Sequence, residues 1–269
     1  MQIELSQCRL AFDEAGKGTP ILFIHGYPMN RRLWQPQLED LAEVGHVLAL
    51  DLRGHGESEQ IPGPYSMELF ADDCNEFLDV MRIPKVVLCG LSMGGYICMA
   101  FYRKYASRVV GMVLTATRAA ADSPTARESR DKAIDQAISQ GPAPIVEGMI
   151  NRLLSPYSQS NRSSLITKAH DFMDDISTQT IVADLQGLKT RLDSSSILAT
   201  ISQPVCIIHG EDDQIVPVKD SAKKSAKLIK GAKEIYYPGA PHGLTATHQD
   251  RVNADLLAFV TQEEERKAA

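Results

Sequence analysis

Ser92 stands between two glycines in Gly90-Leu91-Ser92-Met93-Gly94, with an apolar run over 86–89 before it and a helix-compatible run over 95–100 after it. A G-x-S-x-G segment joining a strand to a helix makes a sharp, strained turn that needs small flanking residues and lifts the serine hydroxyl above the sheet edge. That display suits a nucleophile. A serine hydroxyl attacks poorly until a base removes its proton, and the base must be oriented by a carboxylate. The chain should therefore supply an acid and a histidine after later strands.

Both are present. His209-Gly210-Glu211-Asp212-Asp213-Gln214-Ile215-Val216-Pro217 follows the apolar run 205–208, and Pro238-Gly239-Ala240-Pro241-His242-Gly243 follows the run 232–236. Two adjacent acids, Asp212 and Asp213, compete for the orienting role. Among seven histidines, His242 lies in a tight Pro/Gly loop after the last strand, where a base has to reach back to Ser92. His46, His170 and His248 lie in polar or helical contexts. His25 and His55 adjoin glycines in loops and are expected to shape the floor of the site, and His209 is expected to be packed or hydrogen-bonded.

Attack on a carbonyl puts negative charge on its oxygen, and a preorganised N–H donor there is typically worth about 3 kcal/mol. The residue after the nucleophile, Met93, is one expected donor; the other should follow the early strand, in His25-Gly26-Tyr27-Pro28. Pro28 has no N–H and restricts the residue before it, which leaves Tyr27 as the second donor.

These residues need a scaffold. Residues 2–6 and 8–13 read as a short antiparallel pair, and 21–24, 47–50, 85–89, 109–114, 205–208 and 232–236 read as buried strands. Amphipathic stretches alternate with them at 32–43, 67–81, 93–105, 218–230 and 248–261. This alternation predicts an α/β fold: a mostly parallel, eight-stranded sheet with helices on both faces. Between 119 and 198 no strand candidate occurs, and helical stretches fall near 124–140, 142–154, 158–171 and 176–189. Residues 1–118 with 199–269 are thus expected to form the core domain, and 119–198 a helical cap over the strand ends, where ligands of open α/β sheets bind.

The chain has 269 residues, 43% of them hydrophobic and 23% charged, ordinary usage for a globular fold with a sizeable core. A net charge of −6 argues against a nucleic-acid partner, which needs a basic surface. Five cysteines without C-x-x-C spacing argue against a disulfide framework or zinc site. No basic leader followed by an apolar stretch opens the sequence, and no run approaches the roughly 18 apolar residues of a membrane span, so a cytoplasmic protein without membrane contacts is expected.

Taken together, "LFIHGYPMN", "LALDLRGHGESE", "LCGLSMGGYICM", "IIHGEDDQIVP" and "PGAPHGLTATH" resemble the α/β-hydrolase superfamily over nearly the whole chain. The resemblance implies the chain order Ser92…Asp213…His242, with Asp213 as the acid because its segment is similar to the G-x-x-D-x-[IV]-V-P of that family. It also implies a structural role for the loop Asp51–Ser58. "GAPHGL…TH" with "DLLAFV" is similar to the cofactor-free haloperoxidase and aryl esterase branch, and "CGLSMGG" to 3-oxoadipate enol-lactonases.

The expected activity is hydrolysis of small carboxylic esters through an acyl-enzyme, with no metal or organic cofactor. Trp34, Met93, Met149, Leu153, Ile215, Val216 and Leu244 are candidates to line an apolar substrate pocket. The expected partner is a small ester or lactone, and the assembly a monomer or small homo-oligomer. Alternatives with the same triad are enol-lactone or C–C bond hydrolysis; a small-ligand receptor is the alternative without turnover. Dehalogenase and epoxide hydrolase chemistry is disfavoured, because Ser92 stands where those classes use aspartate.

Overall fold

The apolar runs become strands: β1 (Gln2–Glu4), β2 (Arg9–Ala15), β3 (Thr19–Ile24), β4 (Gly45–Leu50), β5 (Val86–Leu91), β6 (Val109–Thr115), β7 (Val205–Gly210) and β8 (Lys233–Tyr237). They form one sheet in the order β1-β2-β4-β3-β5-β6-β7-β8 in a computed structural model that describes residues 1–161, 163–173 and 175–268. β1 pairs antiparallel with β2, and β2 antiparallel with β4; from β4 onward every pairing across the sheet is parallel. All six residues of β5 and of β7 are buried. That explains their largely apolar sequences, because a parallel strand is covered on both faces.

The helices are α1 (Gln35–Leu41), α2 (Met67–Val80), α3 (Met93–Tyr105), α4 (Pro124–Gln140), α5 (Ala143–Leu153), α6 (Pro156–Asn161), α7 (Ser163–Asp171), α8 (Thr178–Thr190), α9 (Ser195–Leu198), α10 (Ala222–Leu228), α11 (Leu244–Thr247) and α12 (Gln249–Ala268). Serine caps begin three of them: Ser66, Ser123 and Ser177 accept the amides of Leu69, Ala126 and Thr180 at 3.1, 3.2 and 3.0 Å. Each cap satisfies a first-turn amide that has no partner within its helix.

Several helices differ from the amphipathic pattern. The stretch 32–43 divides into a 3₁₀ turn, Arg31–Trp34, and α1, with Pro36 in the first turn of the new helix. The stretch 158–171 is covered by α6 and α7, and Arg162 between them lies outside the described residues. The stretch 218–230 opens with a 3₁₀ turn, Val218–Asp220, before α10. α9 and α11 are single turns, too short to show periodicity in sequence.

Among the described residues, no strand interrupts the helical segment between β6 and β7. α8 fastens it to the core. Thr180 Oγ1 donates to the carbonyl of Gly54 at 2.9 Å, and the amide of Tyr65 donates to the carbonyl of Ala183 at 3.0 Å. A methyl group on Gly187 would fall 1.7 Å from the carbonyl oxygen of Tyr65, so only glycine permits this approach. Asp184 and His55 meet in the same seam, both fully buried, with His55 Nε2 2.9 Å from Asp184 Oδ2.

Candidate active site

β5 ends at Leu91 and α3 starts at Met93, so Ser92 must reverse the chain alone. It does so at φ 54 and ψ −110, a left-handed backbone that costs a non-glycine residue about 1–3 kcal/mol. The surrounding bonds hold it there: its amide donates to the carbonyl of Thr115 at 2.9 Å, and its carbonyl accepts from the Gly95 amide at 3.0 Å and Thr117 Oγ1 at 2.8 Å. The flanking glycines are required by contact. A methyl group on Gly90 would lie 2.4 Å from the carbonyl carbon of Gly94, and one on Gly94 2.1 Å from the carbonyl oxygen of Ile24.

The turn after β7 is built around Asp213. Its Oδ1 accepts the amides of Ile215 and Val216, each at 2.8 Å, and its Oδ2 lies 2.7 Å from Nδ1 of His242. His209 Nε2 lies 3.2 Å from the same Oδ2 and 2.7 Å from the carbonyl of Val216. Burial by itself would raise the Asp213 carboxyl. The charge of the adjacent His242 and the hydrogen bonds from His209, His242 and the Val216 amide outweigh it, so the group is held well below the usual carboxylate range. Asp212 is exposed; its amide, not its carboxylate, is used, donating at 3.0 Å to the carbonyl of Ala240 in the histidine loop. Gly210 permits this loop crossing, since a methyl group there would lie 2.2 Å from the carbonyl oxygen of Ala240.

The histidine loop is also tied to the helical segment, because the Gly243 amide donates to the carbonyl of Leu153 at 2.9 Å. His242 is buried and lines, with Ser92, a cavity of about 70 Å³. Tyr27 and Met93 line the same cavity. Among the described residues, neither of their backbone amides donates to a backbone carbonyl. His25 lies just before this loop, fully buried, with Nδ1 3.0 Å from the carbonyl of Gly26 and Nε2 accepting the Leu52 amide at 3.1 Å. Burial, reinforced by the neighbouring His55, holds its imidazole well below the usual range and therefore neutral.

Of the residues expected to line an apolar pocket, Met93, Met149, Ile215 and Val216 do face this cavity. Trp34, Leu153 and Leu244 do not line it. Trp34 packs on the Phe23 ring at 4.7 Å between centroids. Leu153 buttresses the histidine loop, with its side chain against Gly243. Leu244 is wholly buried at the start of α11. Tyr96, Leu188, Arg118 and Arg130 line the cavity without having been singled out from sequence. The spacing of Arg118 and Asp122 by four, with Arg130 eight residues further on, was the available signal for a charged cluster.

Residues 19–248 match the family model described as the alpha/beta hydrolase fold. The chain belongs to the α/β-hydrolase fold family. A non-heme haloperoxidase from Rhodococcus erythropolis is 31% identical over 261 residues, covering 93% of this chain and 94% of that protein. A bifunctional esterase/perhydrolase from Acinetobacter calcoaceticus is 29% identical, covering 92% and 94%. Among solved structures, a thermophilic esterase from Thermogutta terrifontis superposes with a TM-score of 0.94 at 32% identity, covering 98% of this chain and 99% of that one. These similarities place the α/β hydrolase described here among hydrolytic enzymes.

Proposed function

We propose that this α/β hydrolase is a serine esterase that cleaves small carboxylic esters through an acyl-enzyme. The observation that carries the reading is the Asp213–His242 contact at 2.7 Å beside a cavity that His242 shares with Ser92. In this reading Ser92 Oγ attacks the ester carbonyl and His242 accepts its proton through Nε2. Asp213 keeps the proton on Nδ1 and stabilises the imidazolium. The developing oxyanion takes hydrogen bonds from the amides of Met93 and Tyr27. His242 then protonates the departing alcohol, and water repeats the sequence on the acyl-enzyme.

The helical segment 119–198 serves as a cap in the same reading, since Arg130, Met149 and Leu188 reach the cavity from it. The esterase and esterase/perhydrolase relatives support ester cleavage as the reaction class.

A panel of short p-nitrophenyl esters, lactones and thioesters, run on wild type and Ser92→Ala, tests the reading. Wild type should turn over the short esters, and Ser92→Ala should lower kcat by about a thousandfold or more. Equal turnover by the two proteins would remove Ser92 from the chemistry. Tight ligand binding without turnover would make the protein a receptor, and exclusive activity on lactones would move the substrate to that class.

A further inference from the structure

The cavity around Ser92 adjoins a second, larger one of about 440 Å³, and the two share Tyr27, Arg118, Arg130, Met149 and Ile215 in their linings. Among the described residues, neither lining contains a carboxylate or a lysine. The shared wall is nevertheless strongly charged. Behind it sits Asp122, 4% exposed, which receives three guanidinium groups: Arg118 Nη2 at 2.7 Å, Arg130 Nε at 2.7 Å and Arg191 Nη2 at 3.0 Å. One carboxylate balances one of them. Arg191 lies 4.1 Å over the Tyr96 ring, a favourable face for a cation, and is turned away from both cavities. Asp184, whose charge also reaches Arg130, is already opposed by His55, so Arg118 and Arg130 remain in the wall between the two cavities with charge to spare.

Two further unpaired donors belong to residues of the same wall. Arg118 Nε is buried without a hydrogen-bond partner, and so is the hydroxyl of Tyr27, a residue only 8% exposed that lines both cavities. Arg152 lines the outer cavity; its Nε donates to the carbonyl of Gly148 at 3.0 Å, and among the described residues it has no carboxylate partner. Unmet buried donors and surplus guanidinium charge are costly until an anion joins them. Guanidinium groups match a carboxylate in shape as well as charge, because their planar fork donates to both of its oxygens.

We propose that the substrate is an anionic ester: a small ester or lactone carrying a free carboxylate, bound by Arg118, Arg130 and the Tyr27 hydroxyl while its reacting carbonyl lies at Ser92. Arg152 at the outer cavity draws the anion inward. The cavity at Ser92, about 70 Å³, admits only the reacting group and its nearest atoms, so the carboxylate-bearing arm lies toward the larger space. This assignment rests on the serine esterase reading, and it names the substrate class of that site.

The test compares monomethyl glutarate with dimethyl glutarate by pH-stat, with glutarate dianion as a competitive inhibitor. Wild type should prefer the monoanion in kcat/KM by at least about tenfold, the factor that one lost charge-assisted hydrogen bond represents. Glutarate should inhibit the neutral ester competitively. Arg130→Gln and Arg118→Gln should each lower the monoanion-to-neutral ratio about tenfold, mainly through KM, and weaken glutarate inhibition in step. Tyr27→Phe, which keeps the ring, should lower the ratio severalfold. Should the arginine variants fail to fold, Arg152→Gln at an exposed position should still lower the ratio about two- to threefold.

A wild-type preference for the neutral ester, or ratios unmoved by all of these substitutions, overturns the anionic assignment and leaves the esterase reading standing. Inhibition by inorganic phosphate in place of glutarate overturns the choice of carboxylate. No turnover of either ester, together with a Ser92→Ala protein indistinguishable from wild type, overturns the esterase reading; glutarate binding by calorimetry then still decides the anion site.

Discussion

The Nδ1 atom of His242 lies 2.7 Å from Oδ2 of Asp213, and the opposite oxygen of that carboxylate is pinned by the amides of Ile215 and Val216 at 2.8 Å each. The carboxylate therefore cannot rotate away from the imidazole without breaking both bonds. The loops that carry the two residues are also fastened to each other, through the Asp212 amide and the carbonyl of Ala240 at 3.0 Å. Orientation of the His242 imidazole is thus a property of the interlocked loops as well as of one ion pair.

Asp213→Asn should expose this arrangement. The Ile215 and Val216 amides will claim the asparagine carbonyl oxygen, which turns its NH₂ toward His242. Nδ1 must then accept and Nε2 must carry the proton, so the imidazole cannot accept a proton from Ser92. The expected outcome is a fall in kcat on a short ester of about 10⁴-fold, with an unchanged near-ultraviolet circular dichroism spectrum. A loss smaller than tenfold would show that the tautomer is set by another group.

The same carboxylate makes a prediction about acid stability. Its pKa is lower folded than unfolded, because His242 and the surrounding donors favour the charged form against the opposing effect of burial. Below about pH 4, the unfolded chain takes up this proton before the folded chain does, so stability from Asp213 is complete above that pH and declines beneath it. Urea unfolding between pH 6 and pH 3 should show wild type losing on the order of 1 kcal/mol more than Asp213→Asn over this window. Parallel losses in the two proteins would assign acid lability elsewhere.

Two glycines allow a steric test. Gly94→Ala places a methyl group 2.1 Å from the carbonyl oxygen of Ile24, where backbone on both sides must move. A destabilisation of about 3 kcal/mol or more is expected, as for severe overpacking. Gly148 in α5 has open space at the corresponding position. Gly148→Ala should be neutral or stabilise by about 0.5–1 kcal/mol, as glycine in a helix interior is unfavourable. Thermal unfolding of the two variants measures the contrast.

The seam between α8 and the core depends on the His55–Asp184 pair. The distance is 2.9 Å, but the atoms lie off the hydrogen-bonding axis, and both are fully buried. Burial pushes the His55 imidazole down, and the opposing pull of Asp184 raises it overall. Asp184→Ala leaves that imidazole without its counter-charge and should destabilise the protein by about 3–5 kcal/mol. Hydrogen exchange should show the α8 amides opening before those of β5. Uniform exchange rates across both elements would mean that α8 is not a separable unit.

The expected strands, the antiparallel edge pair and the helical segment between β6 and β7 were legible because each depends on local composition. A strand buried on both faces must be apolar throughout, as in Val86–Leu91, and a turn as tight as that at Ser92 must have glycine on either side. The choice between Asp212 and Asp213 was not local. It turned on which side chain the amides of Ile215 and Val216 would accept and which was left exposed.

The amino-acid sequence by itself determined the α/β alternation, the strained serine turn and the chain order of a serine, an acidic pair and a histidine, since close-range sterics and hydrophobic periodicity act along the chain. Only the tertiary structure decided what surrounds them. It buried Trp34 against Phe23, used Leu153 to support the histidine loop, and brought Arg118 and Arg130 to the cavity wall around Asp122. The physical reason is register: how a helical segment settles over a sheet depends on packing and charge pairing between residues far apart in the chain, such as Gly187 against Tyr65 and Asp184 against His55.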